Sequence, residues 1–247
     1  MNRPTGRLAF ALIAVAAWAT VAPPSVTWAQ DDANEIIRKS NLAYYYAADD
    51  GIADVKMSLT DRRGKERSRK FTMLRIDIEE GGDQKYYTYF REPSDVARLT
   101  FMVHKRADGN DLRWIYVPAV DLTRPVSADD KNSSFVGSDF TYEDVSGRHW
   151  TEDEHTLVRA EEVDGEAAWV IQSTPKDASY DGFARRLSYI SQAHYLPLKR
   201  AYFDDKEKLV RRFTAAAIKE MNGIMTVTLR RMENLKKGSS TTVEFTD

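Results

Sequence analysis

The chain contains no cysteine. That removes disulfides, thiolate metal sites, iron–sulfur clusters, a cysteine nucleophile and a lipid-attached N-terminal cysteine. Histidine is scarce as well. His104, His149, His155 and His194 are the only four, no two stand at the i, i+2 or i, i+4 spacing of a metal site, and each reads as a surface or strand-end residue. No Gly-rich phosphate loop follows a strand, and Gly137-Ser138-Asp139 is only half of a Gly-x-Ser-x-Gly nucleophile elbow. An excess of one charge is missing too: 36 Lys+Arg face 38 Asp+Glu, which argues against a nucleic-acid binder. The acid pairs Asp31-Asp32, Asp49-Asp50, Glu79-Glu80, Asp129-Asp130 and Asp204-Asp205 fall at turns and element ends, where solvated carboxylates are expected. These absences speak against an enzyme, a metal site and a cofactor.

What is present starts with a short apolar run. Arg3 and Arg7 precede an uncharged stretch, residues 8–22, which falls short of the roughly 20 residues that a helix needs to cross a bilayer. Pro23 and Pro24 end it, and Thr27-Trp28-Ala29 places small residues before a cut. The pattern reads as a secretory signal peptide, residues 1–29, cleaved after Ala29; the alternative is an uncleaved anchor. Removing Arg3 and Arg7 leaves 34 Lys+Arg against 38 Asp+Glu, a net charge of −4. The remaining residues 30–247 carry no second apolar run, no low-complexity linker and no internal repeat, so a single domain is expected. With 42% hydrophobic and 11% aromatic residues overall, the chain has ample material for a core and is too rich to be disordered.

The spacing predicts one helix over residues 31–46, stopped by Asp49-Asp50-Gly51. Beyond it the period changes to two: Val55, Met57 and Leu59 alternate with Asp54, Lys56 and Ser58. Strands follow over 71–78, 85–90, 99–104, 112–117, 156–163, 168–173, 185–192, 197–204, 210–218, 225–233 and 241–245, separated by turns such as Asp108-Gly109-Asn110 and Asn222-Gly223. Consecutive hairpins make an antiparallel meander that must curl to bury its apolar face. The fold class expected is mainly β (α+β). Residues 119–150 differ, being polar, interrupted by Pro125 and without periodicity, and read as a lid, a binding loop or short helices over an opening.

One phase of each strand supplies large apolar side chains: Val55, Met57, Leu59, Phe71, Met73, Tyr87, Tyr89, Leu99, Phe101, Trp114 and Tyr116. They either line a cavity that accepts hydrocarbon or form an ordinary packed core. The hairpin bearing Arg62, Arg63, Lys65, Arg67, Arg69 and Lys70, six bases against Asp61 and Glu66, either meets anionic headgroups or a partner's acidic face, or keeps a sheet edge soluble. In Gly137-Ser138-Asp139-Phe140-Thr141-Tyr142-Glu143-Asp144, Ser138 or Asp139 is placed to cap a short helix, with Glu143 and Asp144 adding polar caps. Phe140 then either plugs the mouth of the sheet or merely anchors a capped turn.

That stretch carries a resemblance. Trp114-Ile115-Tyr116-Val117-Pro118-Ala119, then Arg124, then residues 135–144, and later residues 195–204 resemble the bacterial outer-membrane lipoprotein-sorting protein family, which is similar to the periplasmic lipoprotein carriers LolA and LolB. The resemblance spans the chain from about Ala33 onward, with Gly137, Ser138, Asp139, Phe140, Tyr142, Glu143 and Asp144 as its motif. The family pattern has several bases after Pro-Ala, whereas Asp121-Leu122-Thr123-Arg124 keeps one arginine. The resemblance implies a curved, incompletely closed antiparallel β-barrel with helices covering its concave face. It implies a periplasmic monomer that carries the acyl chains of a lipoprotein or lipid toward the outer membrane, with an inner-membrane transporter of the resistance–nodulation–division (RND) type as partner. The alternative is a non-carrier adaptor of an envelope transport complex.

Overall fold

The computed structural model describes residues 30–246; the expected signal peptide lies outside the described residues. A helix, α1 (Gln30–Tyr45), precedes six strands: β1 (Asp50–Thr60), β2 (Glu66–Asp77), β3 (Gln84–Glu92), β4 (Thr100–Lys105), β5 (Leu112–Val117) and β6 (Leu122–Val126). A crossover, residues 127–152, holds the five-residue helix α2 (Tyr142–Ser146) and two short 3-10 turns. Seven strands complete the chain: β7 (Asp153–Val163), β8 (Glu166–Pro175), β9 (Arg185–Ser191), β10 (Pro197–Phe203), β11 (Leu209–Met221), β12 (Ile224–Asn234) and β13 (Ser239–Thr246).

All thirteen strands belong to one antiparallel sheet in the order β6-β5-β4-β3-β2-β1-β13-β12-β11-β10-β9-β8-β7. The chain steps outward from β1 to the edge at β6, crosses to the opposite edge at β7, and steps back until β13 pairs with β1. Because β6 and β7 do not pair with each other, the sheet curls without closing. The crossover therefore links the two free edges. The expected lid segment is this link, with one correction: residues 122–126 form β6, a strand hidden from sequence reading by Pro125, which an edge strand tolerates because one side of its ladder is unpaired.

Two packed groups fill the concave side. Ala33, Ile36 and Ile37 of α1 sit on Leu157, Ile171 and Ile190 of β7–β9. The crossover places Phe135, Phe140 and Tyr142 on the β1–β4 half, against Val55, Met57, Leu59, Phe71, Phe90 and Phe101.

Candidate functional site

The concave wall is built by alternation. Val55, Met57 and Leu59 are buried from β1, and Phe71 stands directly opposite Val55 on β2. Met73 and Leu99, partly exposed, pack onto the same cluster, and Phe101 is wholly buried. These residues and Phe140 share the interior.

Tyr87, Tyr89, Trp114 and Tyr116 do not belong to it. On β3 the buried phase is Tyr86, Thr88 and Phe90, which leaves Tyr87 41% exposed on the convex side. On β5 the buried residues are Arg113 and Ile115, so Trp114 and Tyr116 point outward as well. Trp114 packs edge-on against His104, and the Tyr116 hydroxyl donates to Asp121 Oδ1 at 2.9 Å on the surface. Registers align Ile52, Leu74, Tyr87, Met102, Trp114 and Pro125 in one row across the outer face of β1–β6. The misassignment has a physical cause. Strand β3 is aromatic in both phases, and the inward phase of β3–β5 carries Gln84, Lys105 and Arg113, polar residues that partners inside make tolerable.

Those partners belong largely to α2 and its neighbours. The buried Lys105 ammonium donates to the carbonyls of Ser146 and Gly147 at 2.9 and 3.1 Å, closing the C-terminus of α2. Burial pushes its pKa down to about 8. Arg113 Nη2 donates to Asp111 Oδ2 at 2.6 Å and to Ser146 Oγ at 3.2 Å. Gly147 has φ +80°, and a Cβ there would lie 2.8 Å from the Tyr45 ring, so only glycine lets α2 approach α1.

The crossover folds on itself before it packs. A bridge between Ser134 and Thr141, with Phe135 N donating to Phe140 O at 2.8 Å, pinches off a loop with Gly137 at its tip (φ +79°). Thr141, not Ser138 or Asp139, caps α2. Its hydroxyl accepts from Asp144 N at 3.0 Å while Asp144 Oδ2 accepts from Thr141 N at 2.8 Å. Ser138 Oγ accepts from Phe140 N at 3.2 Å within the loop. Asp139 instead ties the loop to β13, accepting from Ser239 Oγ at 2.6 Å and Thr241 Oγ1 at 2.8 Å. Arg211 of β11 binds the Asp144 carboxylate and donates to Asp139 O at 3.2 Å.

Aromatic contacts complete the plug. Phe135 lies 5.3 Å from Phe101, 5.8 Å from Tyr142 and 6.0 Å from Phe90, centroid to centroid. Phe140 closes a residual cavity of about 40 Å³ bounded by Met57, Phe71, Val243 and Phe245. Glu143 is buried among Lys131 at 3.1 Å, Arg148 at 3.3 Å and the Tyr180 hydroxyl. Arg148 reaches Asp153 at 2.8 Å and stacks 3.9 Å over Tyr180, and Asp153 also meets Arg186 at 3.2 Å. Burial and the Glu143 charge hold the Tyr180 hydroxyl far above the ordinary tyrosine range.

Arg62, Arg63, Lys65 and Arg67 are exposed on the β1–β2 hairpin. Sequence reading missed Phe90, Phe135 and the interior arginines as parts of this packing, and named Tyr142 only as part of the motif. The signal for Phe135 was its place at the head of the Gly-Ser-Asp-Phe motif; the arginines gave none, since an unpaired sequence position reads as surface.

A family model described as an uncharacterized protein matches residues 82–247. The chain belongs to that family. No curated protein matches it. Among solved structures, it is similar to a domain described as an outer membrane lipoprotein-sorting protein from Vibrio parahaemolyticus (TM-score 0.81, 26% identity, 89% of this chain and 92% of that one). It is equally similar to a DUF1329 family protein from Desulfovibrio piger (TM-score 0.81, 26% identity, 88% and 91%). It is also similar to a LolA superfamily protein from Nitrosomonas europaea (TM-score 0.67, 18% identity, 87% and 91%). The likeness to the Nitrosomonas protein shows that the open, curved sheet has the fold of a LolA superfamily protein.

Proposed function

We propose that residues 30–247 are a single-domain, monomeric, non-catalytic carrier in the periplasm, exported by a signal peptide cut after Ala29. It takes the acyl chains of a lipoprotein or lipid onto its concave face for transfer toward the outer membrane, with an RND-type transporter of the inner membrane as donor. One observation carries this reading: an aliphatic and aromatic wall is covered by a crossover and not by a second sheet. The lining is Val55, Met57, Leu59, Phe71, Met73, Leu99 and Phe101, with Phe140 in the cover. The similarity to a lipoprotein-sorting domain supports it.

The space of about 40 Å³ beside Phe140 is too small for an acyl chain, so on this reading hydrocarbon reaches the concave wall as Phe135 and Phe140 move aside. Each methylene buried contributes about 0.8 kcal/mol, so a long chain offsets the aromatic contacts it displaces. The test is native mass spectrometry with lipid extraction on residues 30–247 purified from a bacterial periplasm. A stoichiometric acyl-bearing adduct is expected. A clean apo mass, repeated with the transporter co-expressed, overturns the carrier.

The filled interior favours a second reading, a non-carrier adaptor of an envelope transport complex. In that case reversing the charges of Arg62, Arg63, Lys65 and Arg67 abolishes activity, while Phe101→Leu leaves it intact.

A further inference from the structure

Interior arginines in this fold are matched to carboxylates: Arg113 to Asp111, Arg148 to Glu143 and Asp153, Arg186 to Asp153, Arg211 to Asp144. Arg69 of β2 is an exception. Its Nε and Nη1 are shielded from solvent, and no described group accepts a hydrogen bond from either. The guanidinium makes no ion pair among the described residues; burial lowers its pKa, and the more distant Asp95 charge opposes that only in part. Arg230 of β12 also lacks a carboxylate, with Nε buried and unpartnered, Nη1 donating to the Tyr44 hydroxyl at 2.8 Å, and the group stacked 4.0 Å over Phe245. Arg200 lacks one too, but none of its buried nitrogens is without a partner, and it stacks on Tyr44 and Phe213.

Arg69 and Arg230 stand on one cross-strand row. Arg230 is opposite Val243, Val243 opposite Met57, and Met57 opposite Arg69. Residues directly opposite share a face, and Met57 and Val243 are buried, so both arginines begin on the concave side. Three strand spacings put them about 14 Å apart along the sheet. The residual cavity under Phe140 lies on this row, with Met57, Val243 and Arg230 in its wall. The loop tip lies over Arg69, where a Cβ at Gly137 would come within 3.6 Å of Nη2. Arg69 is partly exposed, but a guanidinium with two shielded nitrogens and no acceptor is costly, and a bound oxyanion supplies one. A guanidinium matches phosphate oxygens two at a time.

We propose that Arg69 is the head-group receptor of the acyl site. It takes the phosphate of an anionic acyl lipid whose hydrocarbon runs along Met57 and Val243 once the crossover loop withdraws. Arg230 adds positive potential at the far end of the same row. This rests on the carrier reading and names the chemical class of its cargo.

The test is a competition. Residues 30–247 are incubated with vesicles holding equal phosphatidylglycerol and diacylglycerol of the same chains, re-isolated, and their lipid identified by native mass spectrometry. Phosphatidylglycerol is expected in about tenfold excess or more, the scale of a charge-assisted hydrogen-bond pair. Arg69→Gln brings the ratio toward one without reducing diacylglycerol, and Arg69→Lys falls between. Equal loading of the unaltered protein, or an undiminished preference in Arg69→Gln, overturns the inference and leaves the carrier standing. No lipid of either kind overturns the carrier and the inference together. A phosphate adduct formed with inorganic phosphate alone, at the same Arg69 dependence, reassigns the site to a free anion and overturns the lipid assignment. Thermal unfolding of both variants must stay within a few degrees of the unaltered protein; if Arg69→Gln unfolds, the Arg69→Lys ratio decides.

Discussion

The ring of Phe135 stands edge-on to that of Phe101, with centroids 5.3 Å apart, so a residue of the crossover completes a core that the strands begin. The crossover is thus the cover of the concave face and part of its packing at once. Any ligand taken there competes with the protein's own aromatic side chains, which ties loading to stability.

Phe135→Ala removes a ring that touches Phe71, Phe90, Phe101 and Tyr142. A loss of about 3–5 kcal/mol is expected in urea unfolding, together with more co-purified lipid than the unaltered protein carries. Lost stability without extra lipid makes Phe135 a core residue only.

The two faces of the sheet are separable by the same substitution at two positions. Phe101→Asp buries an unpaired carboxylate and prevents folding, whereas Trp114→Asp, on the convex side, shifts the melting temperature by only a few degrees and leaves loading unchanged. Loss of loading in a folded Trp114→Asp protein contradicts the outward assignment.

Arg211 and Asp144 hold the crossover to β11, with side chains 13% and 15% exposed. Removing either partner, by Arg211→Met or Asp144→Asn, is expected to cost about 2–4 kcal/mol. The double variant is expected to cost less than the sum of the two. Hydrogen exchange in residues 127–152 should accelerate before exchange in the strands does. Uniform acceleration across the sheet contradicts a local hold.

Burial raises the tyrosine hydroxyls of the interior: Tyr44 to about 12, Tyr86 well above its ordinary range, and Tyr202 in the same direction. An unfolded tyrosine titrates near 10. The folded state therefore keeps protons that the unfolded state releases, so stability is full below pH 10 and falls as pH rises from 10 through 12 and beyond. Thermal melts at pH 9, 10, 11 and 12 should show this decline, with a shallower slope for Tyr44→Phe. A flat profile to pH 12 contradicts the assignment.

Much of the architecture could be read from the chain. Twelve of the thirteen strands and α1 follow from the change of period at Gly51, because alternation over a strand reports burial on one face. The lack of periodicity in residues 119–150 marked a lid, a binding loop or short helices, and of these residues 127–150 belong to the crossover while 122–126 form β6. The failures lie where two phases are equally apolar. Tyr86 and Tyr87, or Trp114 and Ile115, cannot be sorted by hydrophobicity when the inward phase also contains Arg113 and Thr88.

Composition and pattern thus determined by themselves that this chain makes a curled antiparallel sheet with an apolar face, without thiol chemistry. They placed Phe140 and its motif in the aperiodic segment, and left open whether its ring plugs the sheet or anchors a turn. Only the tertiary structure decided which aromatic residues face inward, that Thr141 and not Ser138 or Asp139 caps α2, and that Arg69 has no carboxylate partner among the described residues. The reason is that side-chain periodicity is a local property, set by backbone geometry within a strand. The partners that let Lys105, Arg113 or Glu143 be buried, or deny Arg69 a carboxylate, arrive from elements tens of residues away.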